Sequence, residues 1–214
     1  MRFDSVVLIT VKKANIFVIL IFILAGVFLN SKNAFDIKKC CFTGYRPDKL
    51  PFDFNIKNKS YYDFENLVTN GILKLADENC RVFYTGMAMG FDILCAENVL
   101  LLKEVYKEPF KLVCAIPFKN QPDFFSEYWK EKYNSILKKC DEIVILSDRY
   151  YRGCYQKRNR FMVDKSDYVL TWFDGKSGGT KNTVEYALKK NKFVFNLKQD
   201  TITNRDIQTV FQIF

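Results

Sequence analysis

The sequence predicts an α/β protein, a three-layer sandwich around a mostly parallel sheet of about six strands, with an extra hydrophobic segment at the N terminus. Two observations carry this. From Ile37 onward, short apolar runs rich in Val, Ile, Phe and Tyr alternate with longer stretches of helical period, the pattern of strands joined by crossover helices. The chain has 214 residues, 49% of them hydrophobic and 27% charged, which is ordinary globular usage and enough to bury a core.

The elements follow in order. "IKKCCFTG" reads as the first strand, bounded by Gly44. "YYDFENLVTNGILKLADENC" places Phe64, Leu67, Val68, Gly71, Ile72, Leu75 and Ala76 on one face at helical spacing, so it reads as an amphipathic helix. "RVFYTG" is the next strand and "FDILCAENVLLLKEVY" the next helix. "FKLVCAIP" is a strand stopped by Pro117, and "DFFSEYWKEKYNSILKKC" a helix bearing Trp129. "DEIVILS", "CYQKRNRFMVDKS", "DYVLTWFD", "TVEYALKKN" and "KFVFNL" continue the alternation and close the set. No repeat or Pro/Gly/Ser-rich linker interrupts it, so residues 37–198 read as one domain and residues 199–214 as a C-terminal tail.

Residues 1–36 stand apart. The run "ANIFVILIFILAGVFL" at 14–29 is apolar throughout and follows Lys12 and Lys13. Its length lies between a signal-peptide core and a membrane span. Three readings stay open: a cleaved signal, a membrane anchor, and a start codon placed too far upstream. Basic residues flank both sides, so charge counting does not orient a span.

The net charge of +9 favours an anionic partner: nucleotide, nucleic acid or an anionic membrane face. The absence of histidine removes every mechanism built on an imidazole base and every His-ligated metal site, and no metal site is expected. Seven cysteines include no C-x-x-C pair. They read as structural thiols of a reducing cytosol.

Open parallel sheets bind ligands in the crevice outside the carboxyl ends of their strands. The loops after Phe42, Tyr84, Ile116, Leu146 and Phe173 are therefore the places to look. "DGKSGG" at 174–179 has the Gly-Lys-Ser of a Walker A loop, but Leu170 stands where its first glycine should be, so that reading fails. What survives is Gly178 and Gly179, followed by Thr180, Asn182 and Thr183 before a helix, an arrangement suited to an anion. After the first strand, Thr43 and Gly44 can bring backbone close to a ligand, and Arg46 offers a fork of donors suited to phosphate. After the second strand, Gly86 and Gly90 frame a tight turn into a helix. Asp92 there suits ribose hydroxyls or a helix cap. Lys157, Arg158 and Arg160 surround Asn159, and one of these arginines is expected to reach the same crevice.

Four stretches in one order carry a resemblance: "CCFTGYRPDKLPF", "YTGMAMGFDILCAE", "CYQKRNRFMVDKSDYVLTWFDG" and "SGGTKNTVEYA". Together they resemble the SLOG superfamily of Rossmann-like proteins, which includes the Lonely Guy phosphoribohydrolases and the DprA-type DNA-processing proteins. They are most similar to its bacterial YpsA-like branch. The resemblance implies a Rossmann-like fold and a module that binds or senses a nucleotide or an ADP-ribose-like derivative, with links to cell division or stress in bacteria.

Two alternatives come with the resemblance. A Lonely Guy-like N-glycosidic hydrolase or transferase would use Arg158 and Glu185 as catalytic residues, with Gly178, Gly179, Thr180 and Thr183 cradling phosphate. Here Lys181 and Asn182 stand where those enzymes have Gly and Thr, and Asn159 replaces their Lys, so the phosphate loop is altered. The other alternative is DprA-like single-stranded DNA binding. The expected partner is a small nucleotide ligand, with no cofactor required. A homo-oligomer stays open, as does nucleic acid. The expected location is the cytoplasm, or a membrane if residues 14–29 are a real span.

Overall fold

The computed structural model describes residues 36–54 and 59–198. The apolar run at 14–29 and the tail at 199–214 lie outside the described residues. Six strands, β1 (Lys38–Gly44), β2 (Cys80–Thr85), β3 (Lys111–Ile116), β4 (Glu142–Ile145), β5 (Tyr168–Trp172) and β6 (Phe193–Asn196), alternate with five helices. The helices are α1 (Lys59–Asp77), α2 (Phe91–Val105), α3 (Glu127–Lys139), α4 (Cys154–Asp164) and α5 (Gly179–Lys189). The strands form one sheet in the order β4-β3-β2-β1-β5-β6, and every neighbouring pair is parallel.

Two cores, one on each face, explain why the central strands read as unbroken apolar runs. Side chains alternate across a strand, so Phe42, Phe83, Leu112 and Cys114 face one core with Ile72, Leu94 and Tyr133 from α1, α2 and α3. Cys41, Ala115 and Val169 face the other with Met162 and Val163 of α4 and Ala187 of α5. A parallel sheet covered on both faces needs this near-continuous hydrophobicity. The seven cysteines are free, and only Cys140 is not fully buried. Burial pushes the thiols of Cys40 and Cys95 well up from their ordinary value, and that of Cys41 up to about 12.

On α1 the expected face is the buried one, with Tyr61 added and Leu67 only partly covered. Gly71 lets that helix lie close to the sheet, since a Cβ there would come within 2.8 Å of Leu197 Cδ2. Three boundaries differ from the sequence reading. Asn79 takes a left-handed conformation (φ 61°), which ends α1 and hands Cys80 to β2. The third helical stretch divides into a short 3₁₀ turn at Gln121–Phe124 and α3 proper, because Phe125 and Ser126 are extended. The helix after β5 begins four residues earlier than expected, at Gly179. Its first backbone bond runs from Asn182 N to Gly178 O, 3.1 Å.

The strand order reverses between β1 and β5. The chain runs outward from β1 through β2 and β3 to β4, returns over the sheet in α4, and starts again at β5 beside β1. The loops after β1 and β5 are thereby neighbours, and so are those after β2 and β3.

Candidate functional site

Arg158 is the organising residue. It lies in α4, is 3% exposed, and reaches the turn after β2. A Cβ on Gly86 would collide with its guanidinium and lie 2.7 Å from Asp92 Oδ2, so Gly86 makes room for a charged pair of the protein itself. Asp92, in the first turn of α2, is likewise buried at 5% exposure. Burial pushes its carboxyl up from the ordinary range, while Arg158, then Arg46, and the backbone N–H groups of Ala88 and Gly86 pull it back. Burial also draws the Arg158 pKa down, against the opposing pull of Asp92. Opposite charges offset part of each other's desolvation here.

A relay of hydrogen bonds runs from this arginine to α5. Arg158 Nε donates to Asn159 Oδ1 (2.7 Å), Asn159 Nδ2 donates to Thr183 Oγ1 (2.8 Å), and Thr183 Oγ1 donates to Gly179 O (2.8 Å). The guanidinium is thus oriented by the first turn of the neighbouring helix. Its Nη1, by contrast, is buried with no hydrogen-bond partner. Such a group is costly unless something satisfies it.

The first turn of α5 stands open. Gly178 is its N-cap and caps it with no side chain, and nothing lies within 4 Å of a Cβ placed on Gly178 or Gly179. Free N–H groups at a helix start, with the positive end of the macrodipole, make an anion site. Beside it a cleft of about 120 Å³ is lined by Gly179, Asn182, Thr183, Asn159, Gln156 and Arg160.

The crevice between the β1 and β5 loops is bridged by the chain itself. The Tyr45 hydroxyl donates to Asp174, and Thr180 Oγ1 donates to Gly44 O (3.0 Å). That phenol, with the backbone and side chain of Lys176, holds the Asp174 carboxyl down to about 2. A carboxylate depressed in the folded state adds stability above its unfolded pKa of ~3.9 and loses it as pH falls toward the folded value. Tyr45→Phe is therefore expected to flatten the loss of stability between about pH 4 and pH 2, measured as urea midpoints across that range.

The structure gathers Arg46, Gly86, Asp92, Arg158, Asn159, Thr183 and Gly179 around one continuous region, as the interactions above describe. Other predicted residues serve the fold. Gly44 has no room for a side chain because the ring of Phe91 fills that space, so it packs the loop rather than admitting a ligand. Gly90 (φ +93°) lets the backbone of Tyr45 and Pro47 approach, with Tyr45 O 2.6 Å from a Cβ position. Thr43 is buried within β1, in register with Thr171. Thr180 is spent on Gly44 O, and Asn182 is exposed. Glu185 is 61% exposed and pairs with Lys181 at 3.7 Å, on the solvent side of α5 and apart from the buried arginine. Of the basic cluster, Arg158 enters the crevice, whereas Lys157 and Arg160 are exposed. Glu97 binds Lys132.

Gln121 escaped notice in the sequence. It is fully buried, and its Nε2 donates to Met87 O (3.0 Å) and Gly86 O (3.4 Å), tying the loop after β3 to the loop after β2. Its Oε1 has no partner. Tyr155, one turn before Arg158 on α4, also went unremarked, and it lies within electrostatic reach of Arg46 and Arg158. No motif marks either residue; only the position of the β3 loop pointed this way.

An open parallel sheet with its order reversed at β1 and β5, and a glycine-opened helix beside a buried arginine at its carboxyl edge, defines a Rossmann-like protein. The chain belongs to the family described as the YspA SLOG family, which it matches over residues 40–207. It is 30% identical over 153 residues to the uncharacterized SPbeta prophage-derived protein YoqJ of Bacillus subtilis, covering 66% of this chain and 85% of that one. It is 28% identical over 159 residues to the UPF0398 protein YpsA of the same organism, covering 73% and 87%. Among solved structures, DNA processing protein A of Streptococcus pneumoniae superposes with a TM-score of 0.51 at 18% identity, over 83% of this chain and 57% of that one. DprA of Helicobacter pylori, whose structure concerns single-stranded DNA binding, superposes with 0.52 at 18% identity, over 85% and 75%. These likenesses establish the shared fold. Among the described residues, no helix is long and apolar enough to cross a membrane.

Proposed function

We propose that the domain binds a nucleotide or nucleotide-derived ligand of the ADP-ribose kind, with phosphate on the first turn of α5 and ribose against Gly86 to Asp92. The observation that carries this reading is the buried, unpartnered Nη1 of Arg158. Its Nε is already held by Asn159, so the guanidinium is oriented before any ligand arrives and one charged donor remains to be satisfied. An anion or hydroxyl supplies what is missing. The open helix start at Gly178 and Gly179 offers a second anion site, coupled to the first through Thr183 and Asn159. Membership of the SLOG family supports a nucleotide, and the DNA-binding structural neighbour handles a polymer of the same phosphate and ribose-type units.

The test is a thermal-shift titration of the full-length chain with AMP, NAD and ADP-ribose, with free base assayed in the same samples. The wild type is expected to be stabilised by at least one of them. Gly179→Asp should abolish that stabilisation and leave the unliganded midpoint within about a degree, because space is open at this position and an acidic residue suits a helix start. Retained stabilisation in Gly179→Asp would show the phosphate lies elsewhere. No base release is expected, since Glu185 is tied to Lys181 in solvent. Release that disappears in Glu185→Gln would instead establish the glycosidic reaction.

A further inference from the structure

The loops after β3 and β4 and the start of α4 bring four aromatic rings together. Phe118, 1% exposed, sits at the centre, with ring centroids 6.2 Å from Phe124, 5.5 Å from Tyr150 and 5.8 Å from Tyr155. Tyr150 and Tyr155 also touch, at 6.4 Å. The two outer rings are open to solvent, Phe124 at 71% and Tyr150 at 59%. Folded proteins seldom leave large rings clustered and exposed without a use. Arg149 and Arg152 beside them are exposed as well.

The position of this cluster matters as much as its composition. Tyr155 and Arg158 are three residues apart on α4, hence on one helix face, so the rings adjoin the buried guanidinium. Gln121, at the head of the turn that ends in Phe124, ties the same loop to Gly86 and Met87. Along the carboxyl edge of the sheet the sequence of features is α5 start, Arg158 with Gly86, then the rings, from β5 to β3. Three strand spacings separate these ends, about 14 Å, roughly the reach of an extended nucleotide.

We infer that Tyr150, Phe124 and Tyr155, packed on Phe118, form a stacking shelf for the nucleobase of the ligand whose phosphate and ribose lie toward Gly179 and Gly86. This rests on the binding proposed above and adds to it that the ligand carries a base and that the base, not the phosphate alone, is recognised. Stacking reads the π-face and not the hydrogen-bonding edge, so purines bind more tightly than pyrimidines by stacking area. The exposed arginines suit the negative charge of the same ligand.

Calorimetric titration of the full-length chain with AMP and with ribose 5-phosphate, which lacks the base, separates the two ideas. The wild type is expected to bind AMP more tightly than ribose 5-phosphate by roughly 5- to 150-fold. The Tyr150→Ala, Phe124→Ala double variant should bring that ratio close to one while the affinity for ribose 5-phosphate and the melting midpoint hold. Tyr150→Phe, which keeps the ring, should keep the ratio. A ratio unchanged in the double variant, or near one in the wild type, overturns the shelf and leaves the phosphate and ribose site standing. No binding of either ligand by the wild type overturns both. Weakened binding of a thymidine oligonucleotide in the double variant, with AMP unaffected, overturns the shelf as a mononucleotide subsite and makes it a strand-binding surface.

Discussion

Arg158→Met is expected to lower unfolding stability at pH 7 by about 3 kcal/mol, as breaking a buried charge pair from one side does. The methionine fills much of the volume, so the loss comes from Asp92, left buried at 5% exposure without its main counter-charge. The size falls at the lower end because the carboxyl can take up a proton. That response has a sign. With the Asp92 pKa already raised in the folded state and raised further by removal of the arginine, the folded protein holds a proton that the unfolded chain, at ~3.9, gives up. Stability therefore falls as pH rises between those two values, and the variant should regain part of its loss on acidification to about pH 5. Adding Asp92→Asn should recover stability at pH 7 for the same reason, a coupling that two independent losses would not show. Urea midpoints for the two single variants and the double at pH 5 and 7 decide this. The same substitution should weaken AMP binding roughly 10- to 100-fold, the worth of a hydrogen bond to a charged group.

Gly90→Ala should be similarly damaging, by about 4 kcal/mol, from two sources that can be separated. Its backbone (φ 93°, ψ −124°) lies where residues with a Cβ rarely go, and the added carbon would meet Tyr45 O at 2.6 Å and Pro47 N at 3.0 Å. The second contact is with backbone, which yields less readily than a side-chain end. Gly153 isolates the first source. It also has positive φ (99°), but nothing lies within 4 Å of its Cβ position, so Gly153→Ala should cost only about 1 kcal/mol. Comparable losses for the two would mean that the packing of the β1 loop on the β2 turn is slack. A large loss at Gly90 should also abolish AMP binding, since Phe91 N bonds Tyr45 O (3.2 Å) and that contact sets Arg46 beside Asp92.

The alternation of apolar strands and amphipathic helices, read along the chain, determined the fold class, all six strands and the five helices. The physical reason is that burial on one face or two leaves a local, periodic imprint, as at Phe64, Val68, Ile72 and Leu75 of α1. The loops worth watching were legible too, because a parallel sheet exposes one end of all its strands together. The work each residue does within those loops was not legible. A glycine reads alike whether a ligand, a neighbouring ring or a guanidinium takes the place of its Cβ. Only the tertiary structure assigned Gly44 to Phe91, Gly90 to the Tyr45 backbone and Gly86 to Arg158. It also turned Glu185 outward and Arg158 inward, brought Gln121 to Gly86 across 35 residues, and gathered Phe118, Phe124, Tyr150 and Tyr155 from two loops and a helix. Those contacts join residues far apart in the chain, where no spacing rule operates, and they exist only once the crossover α4 carries its residues back over the sheet.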